Sequence, residues 1–168
     1  MIKVDESISL ELVEEEKHTQ VIFHLLQSNK HLLREWLSWV DEADLKFVKQ
    51  FVSNSKRQYK AKTDHPFVII YNDTVVGRIG IYTIDNKNKI GSIGYWLDEN
   101  FQGKGIVTKA CKAILNYAFN DLHLSRIEIK CGTGNYKSQR IPELLHFKKE
   151  SIISKGEIIN NKFIDLCF

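Results

Sequence analysis

The sequence predicts an α+β domain: a mixed, mostly antiparallel sheet of about seven strands flanked by helices, with one parallel crossing. Two observations carry this. Between residues 107 and 131 the apolar spacing changes from about 3.6 residues to two, a helix followed by a strand. Val107, Ala110, Cys111, Ile114, Tyr117 and Ala118 recur at steps of three and four, and then Ile127, Ile129 and Cys131 alternate with Arg126, Glu128 and Lys130. With the strand-like stretch Ile90 to Leu97 ahead of that helix, the segment forms a βαβ unit. Further upstream, Pro66 to Tyr71 and Thr74 to Tyr82 flank Asn72-Asp73, residues that tolerate the positive φ of a tight hairpin, so the strands before the crossing run as an antiparallel meander.

In chain order, Ile8 to Val13 reads as the first strand and Glu14 to Ser28 as a helix with Val21, Ile22, Leu25 and Leu26 inward. Glu14, Glu15 and Glu16 are an acidic first turn that suits the helix dipole. Asn29 to Val40 is a second helix or a pair of turns carrying Leu32, Leu33, Trp36, Leu37 and Trp39. Asp44 to Lys60 is a third helix with the stripe Phe47, Val48, Phe51 and Val52. A polar loop, Asp85 to Lys89, leads to Ile90 to Leu97, the turn Asp98 to Phe101, and the crossing helix. Strands at Ile152 to Ile158 and Lys162 to Phe168 close the order.

At 168 residues the chain suits a single domain, residues 1–168, with no Gly/Ser/Pro-rich linker or repeat to divide it. A net charge of +3, with the lysines scattered, argues against nucleic acid as a direct partner. The longest apolar runs, such as Phe67 to Ile70, fall far short of a membrane span and no leader pattern opens the chain, so a cytoplasmic location is expected. Cys111, Cys131 and Cys167 have no metal-ligand spacing, and no metal is expected. They read as buried reduced thiols, Cys131 alternatively as a thiol beside an acyl carrier.

Gly103 and Gly105 fall just before the crossing helix, where free N–H groups and the positive dipole end favour an anion. The plain alternative is a glycine turn that merely starts a helix. The stretch Gln102-Gly-Lys-Gly-Ile-Val-Thr108 lacks the Gly-x-x-x-x-Gly-Lys-Ser/Thr of a mononucleotide loop. It also puts Thr108 where a dinucleotide loop needs its third glycine.

After a Tyr-Trp-Leu strand, this string resembles the acetyl-coenzyme A pyrophosphate loop of the GNAT superfamily of N-acetyltransferases, Gln/Arg-x-x-Gly-x-Gly/Ala, with Gln102 and Gly105 matching and Val107 departing from the small residue expected. Asn135-Tyr-Lys-Ser138, followed by Ile141 to Phe147 and Glu150, resembles the second signature of the RimJ/RimL-like subgroup; His146 stands where most members have glycine and Ser151 replaces a second glycine. The resemblance runs from about Ile8 to Asp165. It implies the GNAT fold, in which the strands ending at Leu97 and beginning near Arg126 splay apart around the pantetheine arm. It also implies acetyl-coenzyme A as cosubstrate, held by Leu97, Asp98, Glu99, Gln102, Gly103, Lys104, Gly105, Ile106, Val107, Thr108, Asn135 and Ser138. The implied acceptor is a primary amine, foremost the α-amine of a protein amino terminus, ribosomal in the best-known relatives. A polyamine, amino acid or aminoglycoside acceptor, or a non-catalytic acyl-coenzyme A binding domain, are the alternatives.

Acetyl transfer from a thioester to an amine needs a neutral amine and a partner for the departing thiolate. By the resemblance, Glu157 supplies a carboxylate that takes the amine proton, and Ser138 faces the thiol. The plain alternatives are a solvated strand-end charge for Glu157 and a helix N-cap for Ser138. Trp36 and Trp39 resemble the pair lining the acceptor side of the cleft, with aromatic core as the alternative for one of them. The chain stops soon after the position of Asp165, so its last strand has less ladder to form, and completion by a second subunit makes a homodimer a hypothesis.

Overall fold

The computed structural model describes every residue from Met1 to Phe168. Strands β1 (Ile2–Lys3), β2 (Ile8–Leu12), β3 (His65–Tyr71), β4 (Thr74–Asp85), β5 (Ile90–Leu97) and β6 (Arg126–Glu128) form one six-stranded sheet in sequence order. All neighbours in it are antiparallel except β5 and β6. Strands β7 (Cys131–Gly132), β8 (Ile152–Ile159) and β9 (Lys162–Cys167) form a second sheet, ordered β7-β9-β8. The strands expected from the sequence are thus divided between two sheets. The division falls where the expected strand Arg126 to Cys131 breaks at Ile129-Lys130 and changes partner.

Helices α1 (Glu15–Ser28), α2 (Lys30–Leu33) and α3 (Leu45–Lys60) cover one face of the large sheet. Ile22, Leu26, Val48 and Val52 are buried there against Val68 of β3. Asp44 caps α3, its carboxylate accepting from Phe47 N–H at 2.7 Å, which stops the helix one residue inside the expected range. On the same face Arg78 of β4 is 2% exposed, its guanidinium 4.3 Å above the Phe51 ring. Helix α4 (Ile106–Asn116) packs on the opposite face through Ile106, Ala110, Cys111 and Ile114. Fully burying one such isoleucine contributes roughly 1.5–3 kcal/mol, so the start of α4 is firmly seated on the sheet. A π-turn, Tyr117–Asp121, extends α4, and α5 (Tyr136–Leu144) follows β7. The hairpin between β3 and β4 turns at Asn72 (φ 45°) and Asp73 (φ 61°), the positive-φ pair the sequence called for.

The crossing opens the structure. Strand β5 pairs with β6 only over Ile90, Gly91 and Ser92, after which β6 turns away and β7 joins β9 instead. The C-terminal half of β5 therefore borders a gap.

Candidate active site

The gap and the start of α4 form one continuous site. Gly103 and Gly105 adopt φ of 77° and 72°, the left-handed conformation that costs a side-chain-bearing residue about 1–2 kcal/mol, and no other group lies within 4 Å of where either would place a Cβ. The first α4 N–H with a helical partner is that of Lys109, which donates to Gly105 O at 3.0 Å. The amides of Gly103, Lys104, Gly105, Ile106, Val107 and Thr108 donate to no protein acceptor. A run of free N–H groups at the positive end of a seated helix suits a pyrophosphate. Ile106, Val107 and Thr108 belong to the first helical turn rather than to a loop. Gln102 is arranged differently: its N–H donates to Glu99 O at 3.2 Å, and its side-chain oxygen accepts from Lys137 Nζ at 3.2 Å.

At Asp98 and Glu99 the main chain is engaged within the protein. Asp98 N–H donates to Val76 O (2.8 Å) and Glu99 N–H to the Asn29 side chain (2.9 Å), while the Asp98 and Glu99 carbonyls accept from Phe101 and Gln102. Both residues build the turn, and their amides are not free for a ligand. The Asp98 to Val76 bond also fixes which groups are free. By the alternation of an antiparallel ladder, the main-chain groups of Tyr95 and Leu97 point away from β4 and into the gap.

Side chains reach the gap from two faces. On the α4 and α5 face, Ser138 Oγ lies 3.3 Å from Cys131 Sγ and donates to Tyr95 Oη at 3.2 Å. Ser138 is not the helix cap: Asn135 is, its side-chain oxygen accepting from Ser138 N–H at 3.1 Å. Burial raises the Cys131 and Cys111 thiols above their ordinary range, so both are protonated at neutral pH. Cys131 and Cys167 are cross-strand neighbours in β7 and β9. On the other face, Trp36 lies over β7, where a Cβ on Gly132 would come within 2.8 Å of its ring and 3.3 Å of Ile164. Glu157 of β8 is the cross-strand partner of Ile164 and so shares that face. Glu157 is exposed, yet nearby protein atoms desolvate its carboxyl enough to raise its pKa. Trp39 instead stacks on Phe47 (5.9 Å) and meets Phe51 at a tilt (5.5 Å) against α3.

Tyr95 is the site residue that sequence reasoning missed. Its signal was present: in Ile90 to Leu97 the alternation sets Tyr95 on the face of Ile93 and Leu97, which are buried, and a phenol among buried aliphatics requires a polar partner.

A row of free amides leading into a gap between splayed parallel strands suits a pyrophosphate-bearing ligand laid along the open edge of β5. Residues 8–148 match the acetyltransferase (GNAT) domain model, and the chain belongs to that family. It is an acetyl-coenzyme A dependent N-acetyltransferase. It is 33% identical to the ribosomal-protein-serine acetyltransferase of Escherichia coli K12, over 98% of this chain and 92% of that protein. It is 31% identical to the putative ribosomal N-acetyltransferase YdaF of Bacillus subtilis strain 168, over 99% and 91%. Its structure superimposes on that of RimL, a ribosomal L7/L12 alpha-N-protein acetyltransferase in complex with coenzyme A, with TM-score 0.95, 25% identity and coverage of 99% and 94%. The GNAT fold expected from the sequence is thereby shown, as is the RimL-like kinship.

Proposed function

We propose that the chain acetylates the α-amine of a protein amino terminus, ribosomal in class, by direct attack of the amine in a ternary complex. The observation that carries this reading is the gap beside β5. The cradle of free amides lies at one end of it, Ser138 on one face, and Glu157 with Trp36 on the other. The full-length likeness to two relatives named for ribosomal acceptors supports the acceptor class.

When bound, acetyl-coenzyme A supplies the activated acyl group. The free amides of residues 103–108 hold the pyrophosphate, and the main chain of Tyr95 and Leu97 offers strand-like bonds to the pantetheine arm. A peptide α-amine has an unperturbed pKa of about 7.7 to 8.0, so roughly a tenth is neutral at pH 7 and a weak base suffices. Glu157 takes the amine proton, directly or through one water; desolvation raises its carboxyl pKa, which strengthens it as a base. Ser138 Oγ–H donates to the departing thiolate, whose conjugate thiol has a pKa near 8.5. Trp36 forms the wall against which the first acceptor residues rest, and Trp39 keeps a packing role.

Glu157→Gln tests the assignment through free-thiol release from acetyl-coenzyme A with an N-terminal peptide acceptor. General-base assistance is worth ~10² to 10⁴ in rate, so kcat falls by that order while acetyl-coenzyme A affinity holds. Activity returns in part at high pH as more amine deprotonates unaided. Full activity of the variant at pH 7 would refute the base role, and a raised acceptor KM with kcat intact would make Glu157 an ammonium-binding group.

A homodimer belongs to the same proposal. The β8–β9 hairpin exposes Ile152 (59%), Ile158 (55%) and Phe163 (60%), and its ladder is irregular between Ile153 and Glu157. A second copy docked there covers those side chains and steadies the strand carrying Glu157.

A further inference from the structure

Helix α5 contains a proline four residues after Ser138. Pro142 has no N–H, so the Ser138 carbonyl lacks its ordinary helical donor. The rungs at the two ends of the helix close normally, with Gln139 N–H on Asn135 O at 3.0 Å and Leu145 N–H on Ile141 O at 3.1 Å. The donor for Ser138 comes from another element altogether: Tyr95 Oη of β5 donates to Ser138 O at 2.9 Å. A phenol has one hydrogen. With that hydrogen committed to the carbonyl, Tyr95 Oη faces the Ser138 hydroxyl as an acceptor, and Ser138 Oγ donates to it at 3.2 Å.

We propose that Tyr95 is a positioning residue for acetyl transfer. Reaching into the break that Pro142 leaves in α5, it fixes the backbone and the hydroxyl of Ser138 together and parks the hydroxyl hydrogen where it can swing onto the departing sulfur. The inference rests on the reading of Ser138 given above. The chemistry is a hydrogen bond redirected, not a proton transferred: Ser138 keeps its hydrogen, and the thiolate is protonated afterwards by water. Burial raises the Tyr95 phenol well above its ordinary range, so it keeps the hydrogen that it donates to the Ser138 carbonyl at any pH at which the enzyme works. The Cys131 thiol, 3.3 Å from Ser138 Oγ, is likewise held protonated and puts no competing anion beside the serine.

A purely structural role for Tyr95 can be separated from this one because Pro142 is replaceable. Tyr95→Phe removes both bonds to Ser138, while Pro142→Ala returns an N–H to the Ser138 carbonyl from within the helix. The test measures kcat, the KM for acetyl-coenzyme A and the urea midpoint for the full chain and for Tyr95→Phe, Pro142→Ala, Ser138→Ala, Tyr95→Phe/Pro142→Ala (the double variant) and Tyr95→Phe/Ser138→Ala. Losing the bond that orients Ser138 costs about tenfold in kcat. The double variant is expected to regain the urea midpoint lost in Tyr95→Phe yet stay about tenfold slow, with KM unchanged. Adding Ser138→Ala to Tyr95→Phe then lowers kcat much less than Ser138→Ala does alone, since the two act as one unit. Recovery of the double variant to within about twofold of Pro142→Ala overturns the inference and leaves Tyr95 as a mere partner for the carbonyl. A slow Ser138→Ala beside a fully active double variant refutes Tyr95 only; a fully active Ser138→Ala refutes the Ser138 reading and this inference with it.

Discussion

Gly105 concentrates the binding argument in one residue. It combines a left-handed φ of 72° with open space where a side chain would begin, and its amide is one of six consecutive free donors. Coenzyme A binding only the folded state stabilises it by about 2.7 kcal/mol at a hundredfold excess over Kd, so the melting temperature rises with coenzyme A and much less with NAD. Gly105→Glu brings strain, bulk and a negative charge to the cradle, and the coenzyme A shift is expected to vanish. A larger shift with NAD, or an undiminished one in Gly105→Glu, would contradict the cradle. The cradle was legible because backbone conformation at glycine is written in residue type. The same logic reaches His146, which stands where the resemblance led to an expectation of glycine and does adopt φ of 60°. The engagement of the Asp98 and Glu99 amides was not legible, because hydrogen-bond partners distant in sequence, Val76 and Asn29, decide whether an amide is free.

Among the elements, α1 and β3 each carry a buried histidine that the chemistry of acetyl transfer does not use. His18 is 1% exposed, and its Nδ1 accepts the N–H of Glu14 at 2.9 Å, serving one of the donors that a helix start leaves unpaired. His65 is 6% exposed with Nδ1 2.9 Å from Tyr117 Oη. Burial lowers both pKa values below 6.5. Below about pH 6.5 the unfolded chain therefore binds protons that the folded chain refuses, and stability declines as pH falls. The urea midpoint is expected to drop between pH 7.5 and 5.5, and to drop less in His18→Gln; a flat profile would show that neither ring is held neutral. Carboxylates with lowered pKa, such as Asp5 beside Lys109 and Glu150 beside Arg126, act only below about pH 4.5 and leave this window to the histidines. Neither histidine was anticipated, because the inward set read for α1 was apolar. Most helices and strands were legible from their local periods, but β4 runs three residues past the expected end at Tyr82, α2 covers only Lys30–Leu33 of the stretch Asn29 to Val40, and the short β1 was not read. The break at Ile129-Lys130 was not legible, because both halves keep the alternation of one strand and the change of partner is a tertiary event.

At the scale of the whole molecule, two sheets meet where the parallel pair parts, and the acyl site occupies the parting. A local pattern can announce the βαβ unit; it cannot say how far β5 and β6 stay paired, which the three-residue register determines. The exposed hairpin makes its own prediction: the chain is dimeric at tens of micromolar, and Phe163→Glu shifts it toward monomer by placing a charge in the contact. A parent chain that is wholly monomeric by mass measurement at that concentration would remove the dimer from the account. The central claim, transfer to a protein α-amine, is tested most directly by mapping the acetylated atom. A peptide with a free amino terminus and an internal lysine is incubated with the enzyme and acetyl-coenzyme A, and fragment masses locate the added acetyl group. The account predicts one acetyl group on the α-nitrogen and none on lysine. Acetylation of the lysine instead, or turnover of a polyamine with the peptide untouched, would contradict it.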